Sequence, residues 1–271
     1  NIFEKILALL FVIAMPGIWV NAMWFHPDYM MTAFLMASMY MLFRSNEIGD
    51  RFYWVSILFW GISVAVKVQA ITFAPVLIWS ICILKRNNSV SEKYFKIIVA
   101  SFVSIVIIFV ILNPYVLHPK GANAWLQVFV SNIESNASNH GKLGDLSLFF
   151  KIKNAIELFY VPRALFIVML ILSLIAIFKE WNSKQLRLSG MAAAYILPNA
   201  VYLLFFVNKA WNHYYLPVFM MSPLIFSFGI KLFRDRYSLK IIWLRSIFIL
   251  LVATQIGAFS PLLKDLIVLR M

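Results

Sequence analysis

Three short stretches hold most of the side chains with which this chain could do chemistry. In Trp24-Phe25-His26-Pro27-Asp28, a histidine and a carboxylate stand at the junction of two apolar runs. Such a pair can face water, cap a helix or exchange a proton. The residue before a proline avoids helical backbone, whereas proline suits the first helical position, so a helix is expected to start here with Asp28 in its first turn. A carboxylate there is favoured by the helix dipole. The tripeptide alone fits a cap and an acid–base role equally well. His26 favours function, because it lies on the face where the other polar groups collect.

The second stretch is "VAVKVQAITFAPV", in which Lys67 interrupts a continuous apolar run and leaves two helices joined by a very tight bend. An isolated lysine at a membrane surface snorkels to the headgroups. Inside a bundle mouth its charge is costly unless an anion offsets it, and a lipid-linked phosphate is such an anion. The third stretch, "FVNKAWNHYYLPVF", packs Asn208, Lys209, Trp211, Asn212, His213, Tyr214 and Tyr215 between two apolar segments. Tryptophan and tyrosine are ordinary at a membrane interface. Lys209 with His213 and paired tyrosines is denser than anchoring requires. A fourth stretch, "LNPYVLHPKGANAW", ends a helix at Asn113-Pro114 and opens a loop at His118-Pro119. His118 and His140 lack spaced cysteine or carboxylate partners, so they are weak metal candidates.

What must position these groups follows from composition. Of 271 residues, 63% are hydrophobic and only 13% charged, with a mean hydropathy of +0.85. Soluble domains are far less apolar, so this is an integral membrane protein. A single cysteine, Cys82, excludes an internal disulfide. The net charge of +13 would suit nucleic acid. The basic residues instead cluster between apolar runs, where they set membrane orientation, and nucleic acid is excluded as a partner.

About nine runs approach the roughly 20 residues that cross a bilayer. They are 5–25, 29–43, 52–66, 68–84, 97–117, 161–178, 190–207, 215–232 and 241–259. Alternate connections carry Arg44 and Arg51; Lys85, Arg86, Lys93 and Lys96; Lys179, Lys184 and Arg187; and Lys231, Arg234, Arg236 and Lys240. The positive-inside rule places these in the cytoplasm, and all four histidines on the opposite face or at its boundary. The long segment 118–160 on that face shows helical apolar spacing in "NAWLQVFVSNI" and "LSLFFKIKNAIELFY". Two amphipathic interfacial helices joined by the polar turn "NASNHGKLGD" are expected. The triplet at Asn136 to Ser138 also matches a glycosylation acceptor pattern. The fold class is therefore an all-α polytopic helix bundle forming one domain. The chain has no phosphate-binding glycine loop, His-Glu-x-x-His pair or Gly-x-Ser-x-Gly elbow.

In order and spacing, "HPDYMMTAFLMASMYMLFR", "DRFYWVSILFWGISVAVKVQAITFAPVLI", "NPYVL", "SNHGKLGD" and "NHYYLPVFMMSPL" resemble the GT-C superfamily of integral-membrane glycosyltransferases. The likeness is to bacterial family 39-like enzymes, related to protein mannosyltransferases and lipid A aminoarabinose transferase. The resemblance covers most of the chain. It implies transfer of a sugar from a polyprenyl-phosphate donor to a lipid, glycan or protein acceptor on the extracytoplasmic face of the inner membrane. Such a transfer needs a base for the acceptor hydroxyl and cations for the departing phosphate, and the candidates in this chain are Lys67 and Lys209 for the phosphate, Asp28 and His26 for acceptor positioning or proton transfer, and Trp211, His213, Tyr214 and Tyr215 for substrate contacts. No metal ligands are assigned, and a requirement for a divalent ion stays open. The family carries an acidic motif in a first outer loop. None is visible here, and the chain starts at Asn1, so the expected domain, residues 1–271, lacks an N-terminal span and that loop, with the principal base upstream. A transporter remains an alternative, although no repeated interrupted helices are seen. A non-catalytic membrane assembly subunit is another.

Overall fold

The computed structural model describes residues 2–23, 26–87, 92–138, 146–157, 159–160, 163–209, 211–237 and 241–268. Among these residues the chain is all helical, with no strand. The α-helices are α1 (Ile2–Ile13), α2 (Pro16–Met23), α3 (Pro27–Arg44), α4 (Arg51–Val66), α5 (Ala74–Asn87), α6 (Glu92–Leu112), α7 (Pro119–Ser138), α8 (Leu148–Glu157), α9 (Ala164–Trp181), α10 (Leu188–Val201), α11 (Asn212–Met220), α12 (Ser222–Tyr237) and α13 (Ile241–Val268).

Five stretches are long and apolar enough to cross a membrane: Val68–Lys85, Tyr94–Leu112, Ala164–Trp181, Leu188–Phe206 and His213–Arg236. Arg51–Val66 and Arg245–Ala258 are apolar but shorter. On α6, Val99, Val103, Val106, Ile107 and Ile111 all face outward. A contiguous apolar exterior of this kind is at rest in hydrocarbon rather than water.

Several expected runs are interrupted, each for a local reason. The first breaks at Ala14-Met15, because Pro16 cannot donate the bond that would continue α1 and instead starts α2. The run after Lys67 begins as a 3-10 segment, Val68–Phe73, before becoming α5. The run 190–207 ends in a π-helical turn, Tyr202–Phe206, beyond Pro198. The run 215–232 divides at Met221 into α11 and α12.

The two expected helices of the 118–160 segment exist as α7 and α8. Asn136 to Ser138, expected in the turn, instead complete α7, and residues 139–145, His140 among them, lie outside the described residues.

Caps define the elements around the polar cluster. His26 is the extended N-cap of α3, followed by Pro27, while Arg44 lies in the last turn, where the dipole favours a cation. Asp50 caps α4, accepting from the N–H groups of Tyr53 at 2.8 Å and Asn46 at 2.9 Å. Partial burial pushes the Asp50 carboxyl up, but these backbone donors outweigh burial and hold it below the usual carboxylate range.

Helix α3 packs most extensively on α4, which in turn packs on α6. Ser38 and Ser56 hydroxyls meet at 2.9 Å, and Ser63 donates to the Met31 carbonyl at 2.9 Å. Buried small polar groups of this kind bring helices close and hold their register where solvent gives no help. Trp60 Nε1 donates to the Ala70 carbonyl at 2.8 Å, holding the 3-10 segment against α4.

Helix α2, which leads to His26, approaches a core aromatic stack closely. A Cβ on Gly17 would lie 2.5 Å from the Phe159 ring, and that ring is buried and stacked on Phe219 at 4.3 Å. The stacked ring cannot yield without repacking. Gly17→Ala is therefore expected to destabilise the purified protein by about 1–3 kcal/mol. Gly257→Ala, with nothing within 4 Å of its Cβ, should not. Thermal unfolding of both variants in one detergent checks the contrast.

Candidate functional site

The polar cluster forms where three chain segments meet. Helix α3 contributes His26 and Asp28 from its start. Helix α4 contributes Lys67, its extended C-cap. The connection into α11 contributes Asn208, Lys209 and Trp211, with His213 and Tyr214 in the first turn of α11.

Its centre is an ion pair. Lys67 Nζ donates to Asp28 Oδ1 at 2.6 Å and Oδ2 at 2.7 Å. Asp28 has no exposed surface and the Lys67 side chain keeps 23%. Neither ion is stable alone at this depth, because removing water from one charge costs several kcal/mol. Asp28 Oδ2 also contacts His26 Nδ1. Thr32 Oγ1 donates to the Asp28 carbonyl at 2.6 Å, helping fix the first turn of α3.

An aromatic wall surrounds the pair. The rings of His26 and His213 lie 4.0 Å apart. His213 packs on Tyr214 at 4.5 Å and on Trp211 at 5.3 Å. Lys67 Nζ sits 5.0 Å from the centre of the Tyr214 ring, so the ammonium meets a π face as well as its carboxylate.

Lys209 differs from Lys67. It is 3% exposed, and its Nζ donates to Ser135 Oγ at 2.8 Å and lies 4.5 Å from the Trp211 ring centre. Among the described residues no carboxylate lies within ion-pair distance of it. Burial lowers its pKa from the ordinary lysine value.

Helix α7 is tied to this edge through its last turn. Asn208 N–H donates to the Asn136 carbonyl at 2.7 Å, and Tyr214 OH donates to Asn136 Oδ1 at 3.1 Å. Leu146 N–H donates to Asn208 Oδ1 at 2.8 Å. Ser135 and Asn136 were not legible as site residues. Asn136 opened a glycosylation-like triplet and Ser135 carried no signal, and neither points to an amide or a hydroxyl meeting residues more than 70 positions later.

The structure thus brings together His26, Asp28, Lys67, Lys209, Trp211, His213 and Tyr214. Tyr215 turns away, with no exposed surface, into the core beside Phe219. Adjacent residues of a helix point about 100° apart, so Tyr214 and Tyr215 could not share one face. The anion expected to offset Lys67 was an external phosphate; here it is Asp28. His118 accepts from Lys120 N–H at 3.2 Å, a local cap on α7 outside the cluster. No protein-family model, curated protein or solved structure matches the chain.

Removing one member of a buried ion pair leaves the other uncompensated, at a cost of roughly 3–5 kcal/mol. Because Lys67 is partly exposed, the lower end applies. Lys67→Met and Asp28→Asn are each expected to cost about 3 kcal/mol, and the double variant much less than their sum. A double-mutant cycle of unfolding free energies measures this coupling.

Proposed function

We propose that the chain is a glycosyltransferase, moving a sugar from a polyprenyl-phosphate donor to a hydroxyl acceptor at the extracytoplasmic face of the inner membrane. The observation that carries this reading is Lys209, a buried ammonium with a hydroxyl and an indole for neighbours and no carboxylate among the described residues. A buried cation without an anion calls for one. A phosphate beside Lys209 would meet the ammonium and the Ser135 hydroxyl, and Trp211 and Tyr214 offer ring faces to a sugar.

In this reading about nine helical passages cross or enter the bilayer. The basic connections face the cytoplasm, and α7 and α8 lie along the outer interface. The apolar exterior of α6 and the interfacial amphipathic character of α7 support that placement. So does the resemblance in order and spacing to the GT-C superfamily.

The reaction balances as follows. The acceptor oxygen forms a bond to the anomeric carbon and loses its proton with help from the His26–Asp28 pair. The bond from that carbon to the phosphate oxygen breaks, and its electron pair leaves with the polyprenyl phosphate. The negative charge that grows on the leaving oxygen is stabilised by the Lys209 ammonium. Lys67 acts through Asp28, holding the carboxylate fixed beside His26. It is therefore a positioning residue, and the phosphate duty falls on Lys209.

Purified protein in lipid nanodiscs, given a panel of polyprenyl-phosphate sugars and scored for donor consumption, tests the reading. Consumption of at least one donor is expected. Lys209→Met should lower kcat/KM by about 10²–10³-fold, while unfolding temperature stays near that of the parent. Lys67→Met should abolish transfer while membrane insertion is retained. Donor affinity should fall as pH rises and Lys209 loses its proton, at a lower pH than for a water-exposed lysine, because its pKa is shifted down. Consumption of none of the donors, or full activity in Lys209→Met, would refute the assignment.

A further inference from the structure

We infer that His26, Asp28 and His213 form a binding site for a divalent transition-metal ion of the zinc class. One potential ligand atom from each of the three lies within 4.8 Å of the other two. Residues 26 and 28 come from one helix start and residue 213 from another, far along the chain. Their meeting depends on α3 packing against α11.

The donor chemistry selects the ion. Two imidazoles and one carboxylate suit zinc and its transition-metal neighbours, whereas magnesium and calcium favour oxygen throughout. Three protein ligands leave a position open on a four-coordinate ion, the pattern of reactive rather than purely structural zinc sites. Zinc bonds of about 2.0–2.2 Å place the ligand atoms of a tetrahedral ion roughly 3.3–3.6 Å apart, so atoms up to 4.8 Å apart must close by as much as about 1.5 Å around the ion.

The surroundings also fit. Asp28 is buried while both histidines are half-buried, so the site has a dry floor and an accessible edge. Trp211 and Tyr214 pack against His213 and limit how its ring can turn. Lys67 opposes the ion, since its ammonium occupies both oxygens of Asp28. Metal and lysine therefore compete for one carboxylate, and neutralising Lys67 should strengthen metal binding even though it weakens the unliganded fold. An ion held there would engage the His26 and Asp28 atoms that take the acceptor's proton in the transfer proposed above, so the two uses of the pair exclude one another. The binding site itself does not rest on that reading.

The test uses full-length protein purified in detergent, stripped with a chelator and titrated with Co²⁺. One equivalent per chain should bind, with the strong visible absorption of a low-coordinate site. His26→Ala and His213→Ala should each weaken binding about a hundredfold and abolish that absorption, whereas His118→Ala, outside the cluster, should leave it unchanged. Lys67→Met should tighten binding by about tenfold or more through loss of a like charge. Magnesium in excess should not displace the cobalt. If the alanine variants do not fold, Cu²⁺ bound to the parent protein decides the matter by electron paramagnetic resonance. Two coordinated imidazole nitrogens are expected there. No saturable binding, a titration insensitive to both histidine changes, or copper without imidazole coordination would each overturn the site. Sugar transfer is not read in any arm, so failure of the metal site and failure of the transferase reading are separate outcomes.

Discussion

A fully buried carboxylate is tolerable in this bundle only because Lys67 reaches it. Asp28 sits in the first turn of α3 and Lys67 at the end of α4, 39 residues later, and their contact at 2.6 and 2.7 Å sets how the two helices meet at this end. The serine contacts further along, Ser63 to Met31 and Ser38 to Ser56, keep the same register. With α3 and α4 locked, His26 is held beside Asp28. The 3-10 segment after Lys67 is fixed from the other side by Trp60. Most of the polar geometry follows from that one neutralised pair.

The second lysine is resolved differently. Lys67 has a carboxylate, whereas Lys209 has Ser135 and the face of Trp211. An indole face and a hydroxyl offset only part of the cost of burying an ammonium. This asymmetry separates a structural cation from one suited to an incoming anion. Under the proposed function it moves the phosphate contact to Lys209: on sequence alone Lys67 and Lys209 were both candidates, but of the two only Lys209 lacks an anion among the described residues. The same carboxylate that satisfies Lys67 links the pair to His26 and, through the imidazole contact, to His213.

Much of the helix inventory was legible because its causes are local. Pro27 after His26 announced the start of α3, and the spacing in "NAWLQVFVSNI" marked α7. The interruptions were harder to read. Pro16 and Pro198 lie within apolar runs of spanning length, yet the first breaks its run and the second precedes a π turn. Whether a proline bends, breaks or is absorbed depends on which neighbouring groups take up the freed carbonyls, and that is not a property of the local sequence.

The sequence by itself determined that this chain is apolar, helical and built for a membrane, and that its few ionisable side chains gather in short islands between apolar runs. It determined those things because hydropathy, helix periodicity and proline placement act over a few residues. Only the tertiary structure decided which island meets which: Asp28 with Lys67, His26 with His213, Lys209 with Ser135, and Tyr215 into the core rather than beside Tyr214. Those partners lie tens to nearly two hundred residues apart. Their pairing is set by helix packing and by the cost of leaving a buried charge alone, and both arise only once the helices are assembled.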